Sequence, residues 1–151
     1  MAYNATTFRG AGTEIIRSVF FKGLNNTSEK LIVGVQHHIY TVLSVTARCR
    51  TKAGTEQGYL RLKGYDSKAG TTAQDIDVAV VTAELKDTWV WNDKFSFNGY
   101  EPVDFAVTMD ATKHDAIADQ GSSVSQYLSF FTDTANTTFD LTCTYIDQNN
   151  S

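Results

Sequence analysis

The chain has no basic stripe, no long apolar run, only two cysteines and a single proline in 151 residues. Lys and Arg number 13 against 17 Asp and Glu, for a formal net charge of -4, and the two signs are interleaved. Affinity for nucleic acid comes from clustered cations that neutralise phosphates, so nucleic acid is excluded as a main partner. No stretch approaches the ~18 apolar residues of a membrane-crossing helix, and no membrane partner is expected. Met1-Ala2-Tyr3-Asn4-Ala5-Thr6 lacks the charged and apolar regions of a signal peptide, which sets the expectation of intracellular synthesis. A βαβ rhythm is also missing, and with it a parallel sheet. Neither an internal repeat nor a domain linker is visible.

What is present centres on Thr88-Trp89-Val90-Trp91-Asn92-Asp93-Lys94-Phe95-Ser96-Phe97, which holds both tryptophans and two of the nine phenylalanines. Trp89 and Trp91 share one face of an extended segment, as do Phe95 and Phe97. Asn92-Asp93 is a turn-type pair. The segment therefore reads as a tight hairpin anchoring a β-sheet core, with a kinked single strand as the alternative.

Residues 1–12 are polar, small and interrupted by glycine, and read as an extended arm. Strands are expected at 13–21, 31–35, 41–50, 59–65, 76–85, 103–109, 127–131 and 138–146. The clearest is 41–50, with Leu43, Val45, Ala47 and Cys49 apolar against Ser44, Thr46, Arg48 and Arg50, a half-buried antiparallel strand. In 76–85, Ile76, Val78 and Val80 alternate with Asp77 and Ala79. Asn98-Gly99-Tyr100-Glu101-Pro102 reads as a turn holding the one proline. Residues 112–119 have the only helical character, stopped by Gln120-Gly121-Ser122-Ser123. The sum is all-β: a single antiparallel β-sandwich, jelly-roll-like or immunoglobulin-like, with at most one short helix. The domain plan is an arm over 1–12, a sandwich over 13–147 and a polar tail over 148–151. A chain of this length buries roughly two-thirds of its unfolded surface and needs no staples.

No catalytic residues are assigned. A G-x-S-x-G elbow is absent, Gly10-Ala11-Gly12 is too short for a phosphate loop and precedes a strand, and 110–119 does not match a calcium loop. Carboxylates such as Glu101, Asp104 and Asp140 read as wet strand faces rather than a glycosidase pair. No metal or cofactor is expected: His37 and His38 point to opposite faces of an extended chain, and distant His114 does not complete a ligand spacing. Cys49 and Cys143, far apart and alternating with apolar neighbours, read as buried small hydrophobes. A disulfide between them requires adjacent or facing strands. The sequons at Asn4, Asn25, Asn26 and Asn136 read as chance in an Asn- and Thr-rich chain. Trp89, Tyr59 and Tyr65, with Trp91 and Tyr100, offer a sugar-stacking platform; the competing reading is core aromatics and interface anchors.

The ordered strand texts carry a resemblance. Ile39-Tyr40-Thr41-Val42-Leu43-Ser44-Val45, Tyr59-Leu60-Arg61-Leu62-Lys63, the aromatic segment Trp91-Asn92-Asp93-Lys94-Phe95, and Phe139-Asp140-Leu141-Thr142-Cys143-Thr144-Tyr145-Ile146 together resemble the small β-sandwich accessory virion proteins of tailed bacteriophages, particularly those of cyanobacteria. The likeness spans residues 39–146. It implies a non-catalytic capsid decoration or cement protein, or a tail or neck accessory protein. The partners implied are the major capsid protein or tail and neck proteins. Homo-oligomerisation and a place in the virion, after assembly in the host cytoplasm, go with them. Tyr3, Phe8 and Arg9 of the arm, with Tyr100, are the expected partner-binding residues, because such side chains dominate interface energetics. Carbohydrate recognition at a host surface is the alternative.

Overall fold

The computed structural model describes residues 12–65, 73–101 and 124–150. Its strands are β1 (Thr13–Leu24), β2 (Glu29–Val33), β3 (His38–Thr51), β4 (Gln57–Tyr65), β5 (Ala73–Thr82), β6 (Thr88–Trp91), β7 (Phe95–Asn98), β8 (Tyr100–Glu101), β9 (Val124–Ser125), β10 (Tyr127–Thr132) and β11 (Thr138–Asn149). The first sheet runs β1-β11-β3 with β6 and β7 both beyond β3, the second runs β2-β10-β4-β5, and β8 pairs with β9. With β6 and β7 taken as one interrupted strand, four strands face four in the order of a jelly roll. The all-β sandwich expected from the sequence is thus present, and strand order selects the jelly roll over the immunoglobulin alternative. The expected strand at 103–109 and helix at 112–119 lie outside the described residues.

The inward side chains of the two sheets form one core. Phe130 of β10 meets Phe139 of β11 edge-on at 5.4 Å and joins the sheets. Ile32, Leu60, Leu128, Leu141, Val42 and Val45 are fully buried around them. Each contributes about 1.5–3 kcal/mol by area. Gly58 lies under Phe130, where a Cβ would come 2.7 Å from the ring edge, so β4 approaches the ring because it has no side chain there.

The aromatic segment takes the alternative reading, not the hairpin. β6 pairs with β3 at residues 45–48 and β7 pairs with β3 at 39–42, so they lie end to end along one neighbour. The cause is a bulge in β3. Ser44 pairs with Thr144 but Val42 pairs with Tyr145, leaving Leu43 as an extra residue. The bulge reverses the parity of β3: Val45, Ala47 and Cys49 are buried beyond it, Tyr40 and Val42 before it, and Leu43 is only half-buried. An edge strand cannot stay regular across such a kink, and Asn92-Asp93-Lys94 is where it breaks.

A second bulge corrects the reading of β5. Leu60 pairs with Ala79 but Arg61 with Asp77, so Val78 is the extra residue. Ala79 and Val81 take the buried face, and Val80 turns outward, 48% exposed. β1 continues three residues beyond its expected end, with a left-handed Gly23 (φ 69°) and a bulge before Leu24. β11 extends through Asn149, so Asp147 and Asn149, read from sequence within the polar end of the chain, are buried strand residues.

Gly34 and Gly99 mark a crossing of backbones. Gly34 donates its N–H to the Gln126 carbonyl (2.8 Å), and Gly99 accepts from the Gln126 N–H (2.9 Å). A Cβ at Gly34 would lie 2.0 Å from the Gly99 oxygen, and one at Gly99 would lie 2.0 Å from the Val35 oxygen. Gly34→Ala and Gly99→Ala are each expected to cost ~1–3 kcal/mol or more. Gly54→Ala, which meets only the end of the Glu56 side chain, should stay within ~0.5 kcal/mol of the parent. Urea unfolding measures all three, and an unchanged midpoint for Gly34→Ala would contradict the crossing.

Candidate functional site

The outer face of the second sheet collects aromatics and cations by simple alternation. β4 presents Tyr59, Arg61 and Lys63, and β10 presents Phe131, Ser129 and Tyr127 opposite them. Tyr59 stacks on Phe131 with ring centres 5.1 Å apart. The Arg61 guanidinium lies 4.6 Å from the Phe131 centroid, and Lys30 lies 4.4 Å from that of Tyr127. Arg61 is held in place as its Nε donates to Asp77 Oδ1 at 2.7 Å, and this pairing pushes its pKa up. Ser129, buried, forms the floor of an open groove of about 280 Å³ between Tyr127 and Phe131. The ring faces are already occupied by cations. A sugar stacking there would have to displace Arg61 from both Phe131 and Asp77.

Trp89 and Trp91 lie on the inward face of the first sheet, opposite Ala47 and Val45. Trp89 borders a cleft of about 300 Å³ that opens between β5 and β6 and is lined also by Val81, Glu84, Phe139 and Cys49. The buried Nε1 of Trp91 has no hydrogen-bond partner among the described residues. Both cysteines are buried and unpaired. Their strands are adjacent, as a disulfide would require, but Cys49 sits opposite Phe139 while Cys143 sits opposite Val45. Four residues of strand separate them, ~13 Å, beyond the ~7 Å limit for a disulfide. Burial pushes the Cys143 thiol up to about 12 and raises Cys49, so neither is poised as a thiolate.

His38 has a structural role. Its Nδ1 lies 2.6 Å from Asp147 Oδ1, while Arg17 Nε reaches Asp147 Oδ2 at 3.3 Å. One buried carboxylate thereby braces β1, β11 and β3. Tyr40 stacks on Phe97 beside this cluster, and its hydroxyl is pushed up to about 12, first by burial and then by Asp147. His37 sits apart in the turn before β3 with φ 63°.

The outer face of the first sheet is different again. Hydroxyl pairs tie its strands: Ser18 with Thr144 (2.8 Å), Thr41 with Ser96 (2.9 Å) and Thr51 with Thr138 (2.7 Å). On the edge strand β1, Ile16 and Phe20 stand out at 69% and 65% exposed. These two were not singled out from the sequence. The signal was the doublets Ile15-Ile16 and Phe20-Phe21, which put apolar side chains on both faces of one strand.

Of the residues singled out from the sequence, Tyr3, Phe8 and Arg9 lie outside the described residues, as does the Tyr65 side chain. Tyr100 is half-buried in β8. Trp89 and Tyr59 are not brought together: Trp89 faces the interior from the first sheet, and Tyr59 lies on the outer face of the second.

No family model matches the chain, and no curated protein matches it. Among solved structures it is similar to a chain from work on Bacillus endospore appendages, described there as a novel family of disulfide-linked pili. That match has 13% identity over 100% of this chain and 98% of the other, with a TM-score of 0.44.

The buried groups generate three predictions. A bulky thiol reagent should leave Cys49 and Cys143 unmodified in the native protein and label both in denaturant; rapid native labelling would contradict their burial. Cys143 and Tyr40 are neutral in the fold, with pKa values raised from 9.0 and 10.0 to about 12. The unfolded chain therefore ionises first, and their contribution to stability, complete below pH 9, is lost as pH climbs towards 12. Denaturation midpoints across that window should fall, and Tyr40→Phe should flatten the upper part of the fall. Asp147→Ala, which takes the carboxylate from His38 and the half-exposed Arg17, should cost about 1.5–3 kcal/mol in the same assay.

Proposed function

We propose that this chain is a non-catalytic structural protein of a virion, a capsid decoration or cement subunit docked on the major capsid lattice. A tail or neck position is the variant of the same reading. The observation that carries it is the placement of large apolar side chains on the outside of regular strands: Ile16 and Phe20 on β1, Val80 on β5 and Val90 on β6. A rigid sandwich with apolar side chains held outward is suited to broad protein contact. The jelly roll is an architecture of viral capsid and lectin domains, and the site must decide between them. Here the outer rings of the second sheet are capped by Arg61 and Lys30, which favours protein contact over sugar stacking. The resemblance of the strand texts to accessory virion proteins supports the same reading.

In this proposal the arm supplies further adhesion through Tyr3, Phe8 and Arg9. Burying Tyr3 and Phe8 contributes ~1.5–3 kcal/mol each, against ~1–2 kcal/mol for every arm residue ordered. Repetition over many copies makes such weak contacts sufficient. Removing residues 1–12 is expected to leave the melting temperature unchanged and to abolish co-sedimentation with undecorated particles. Normal decoration by the truncated chain would sink the role of the arm. Tight glycan binding that is lost in Trp89→Ala or Tyr100→Ala without unfolding would replace this proposal with carbohydrate recognition.

A further inference from the structure

We propose that β1 pairs with β1 of a second copy of this chain, antiparallel about a two-fold axis at Ser18. The first sheet of one protomer then continues into that of its partner. The proposal rests on the reading of the chain as an assembling structural protein, and it names the surface and the partner.

The four edges of the two large sheets, among the described residues, are not equivalent. The β6–β7 edge is broken at residues 92–94, and β2 is five residues long. β5 carries Asp75 and Asp77 and is bulged at Val78. Short strands, charges and bulges are the devices that protect edges from pairing. β1 is twelve residues long, keeps unbroken register with β11 from Thr13 to Phe21, and contains no proline. No described strand pairs with its other side. The one inward-facing cation on that stretch, Arg17, is matched by Asp147 within its own chain.

The side chains fit a copy of themselves in one register. An axis at Ser18 sets Glu14 opposite the partner's Lys22, Ile16 opposite the partner's Phe20, and Ser18 opposite the partner's Ser18. All five positions of this row are exposed. On the other face Ile15 meets the partner's Phe21, and Arg17 meets the partner's Val19. Opposite charges and apolar pairs directly across a ladder are the favourable combinations, and a two-fold interface repeats each of them. Moving the axis to Arg17 sets two guanidinium groups against each other and Glu14 against the partner's Phe20. Moving it to Val19 sets Ile16 against the partner's Lys22. Side chains keep their faces in the Ser18 register, so the exposed Ile16 and Phe20 of both copies form one apolar patch bounded by Glu14 and Lys22.

The test uses the full chain in sedimentation equilibrium over a dilution series, with circular dichroism confirming that each variant is folded. A monomer–dimer equilibrium is expected. Glu14→Lys alone and Lys22→Glu alone should each weaken it about tenfold, by setting like charges across the ladder twice per dimer. The double exchange should restore the affinity to within about twofold, an outcome that general surface damage does not give. Ser18→Cys should form a disulfide-linked dimer on oxidation. Ile16→Cys, ~14 Å from its own symmetry mate, should not. A monomer at every concentration, a dimer indifferent to the charge exchange, or equal cross-linking at position 16 would each overturn the proposal. Particle docking, measured in parallel, separates this proposal from the one it rests on. Docking by a monomeric chain overturns the dimer alone, and a dimer of this register that does not dock supports the dimer and overturns the capsid role.

Discussion

The extra residue in β3, Leu43, is the constraint on which most of the architecture depends. β3 lies between β11 on one side and β6 and β7 on the other, and all three pair directly with it. A bulge adds twist and swaps the faces of all residues beyond it. On one side β11 follows through a matching register shift. On the other, the edge strand breaks, and the break leaves Trp89 and Trp91 over the outer part of the core and Phe97 against Tyr40. Trp89, Trp91, Phe95 and Phe97 all reach one interior because the strand that carries them is allowed to stop and start again.

The two outer faces of the sandwich then diverge in chemistry, although both come from the same alternation. On the second sheet the rings are covered by cations, and one of these, Arg61, is tied in turn to Asp77, so polar and aromatic groups satisfy one another. On the first sheet, hydroxyl pairs satisfy the strands among themselves, while Ile16 and Phe20 are left in solvent with no such cover. Scattered apolar residues on a surface are ordinary. Two on the same face of a long edge strand, flanked by opposite charges, form a surface whose complement is another strand. The interior contributes rigidity: the thiols are inert, and Asp147 binds three strands through two of its neighbours.

Period-two runs at 41–50 and 138–146, the scarcity of helical signals and the β-branched load determined the all-β class from the sequence alone, since alternation is a local property of the chain. The burial of both cysteines was legible for the same reason. Bulges were not: one extra residue costs little locally and has no sequence mark, yet it exchanges inward and outward faces, which is why Leu43 and Val80 were misplaced and Val42 and Val81 are in the core. The hairpin and the broken strand have the same text, Asn92-Asp93 between aromatic pairs, and only the length of β3 opposite them distinguishes the two. The burial of Asp147, one residue past the expected end of the last strand, was not legible because its partners, Arg17 and His38, are more than a hundred residues away. What tertiary structure alone decided was strand order and register, and through them which polar residues pair, which rings are capped and which apolar side chains are left outside. Those are properties of neighbours across a sheet, and the chain brings such neighbours together only when it folds.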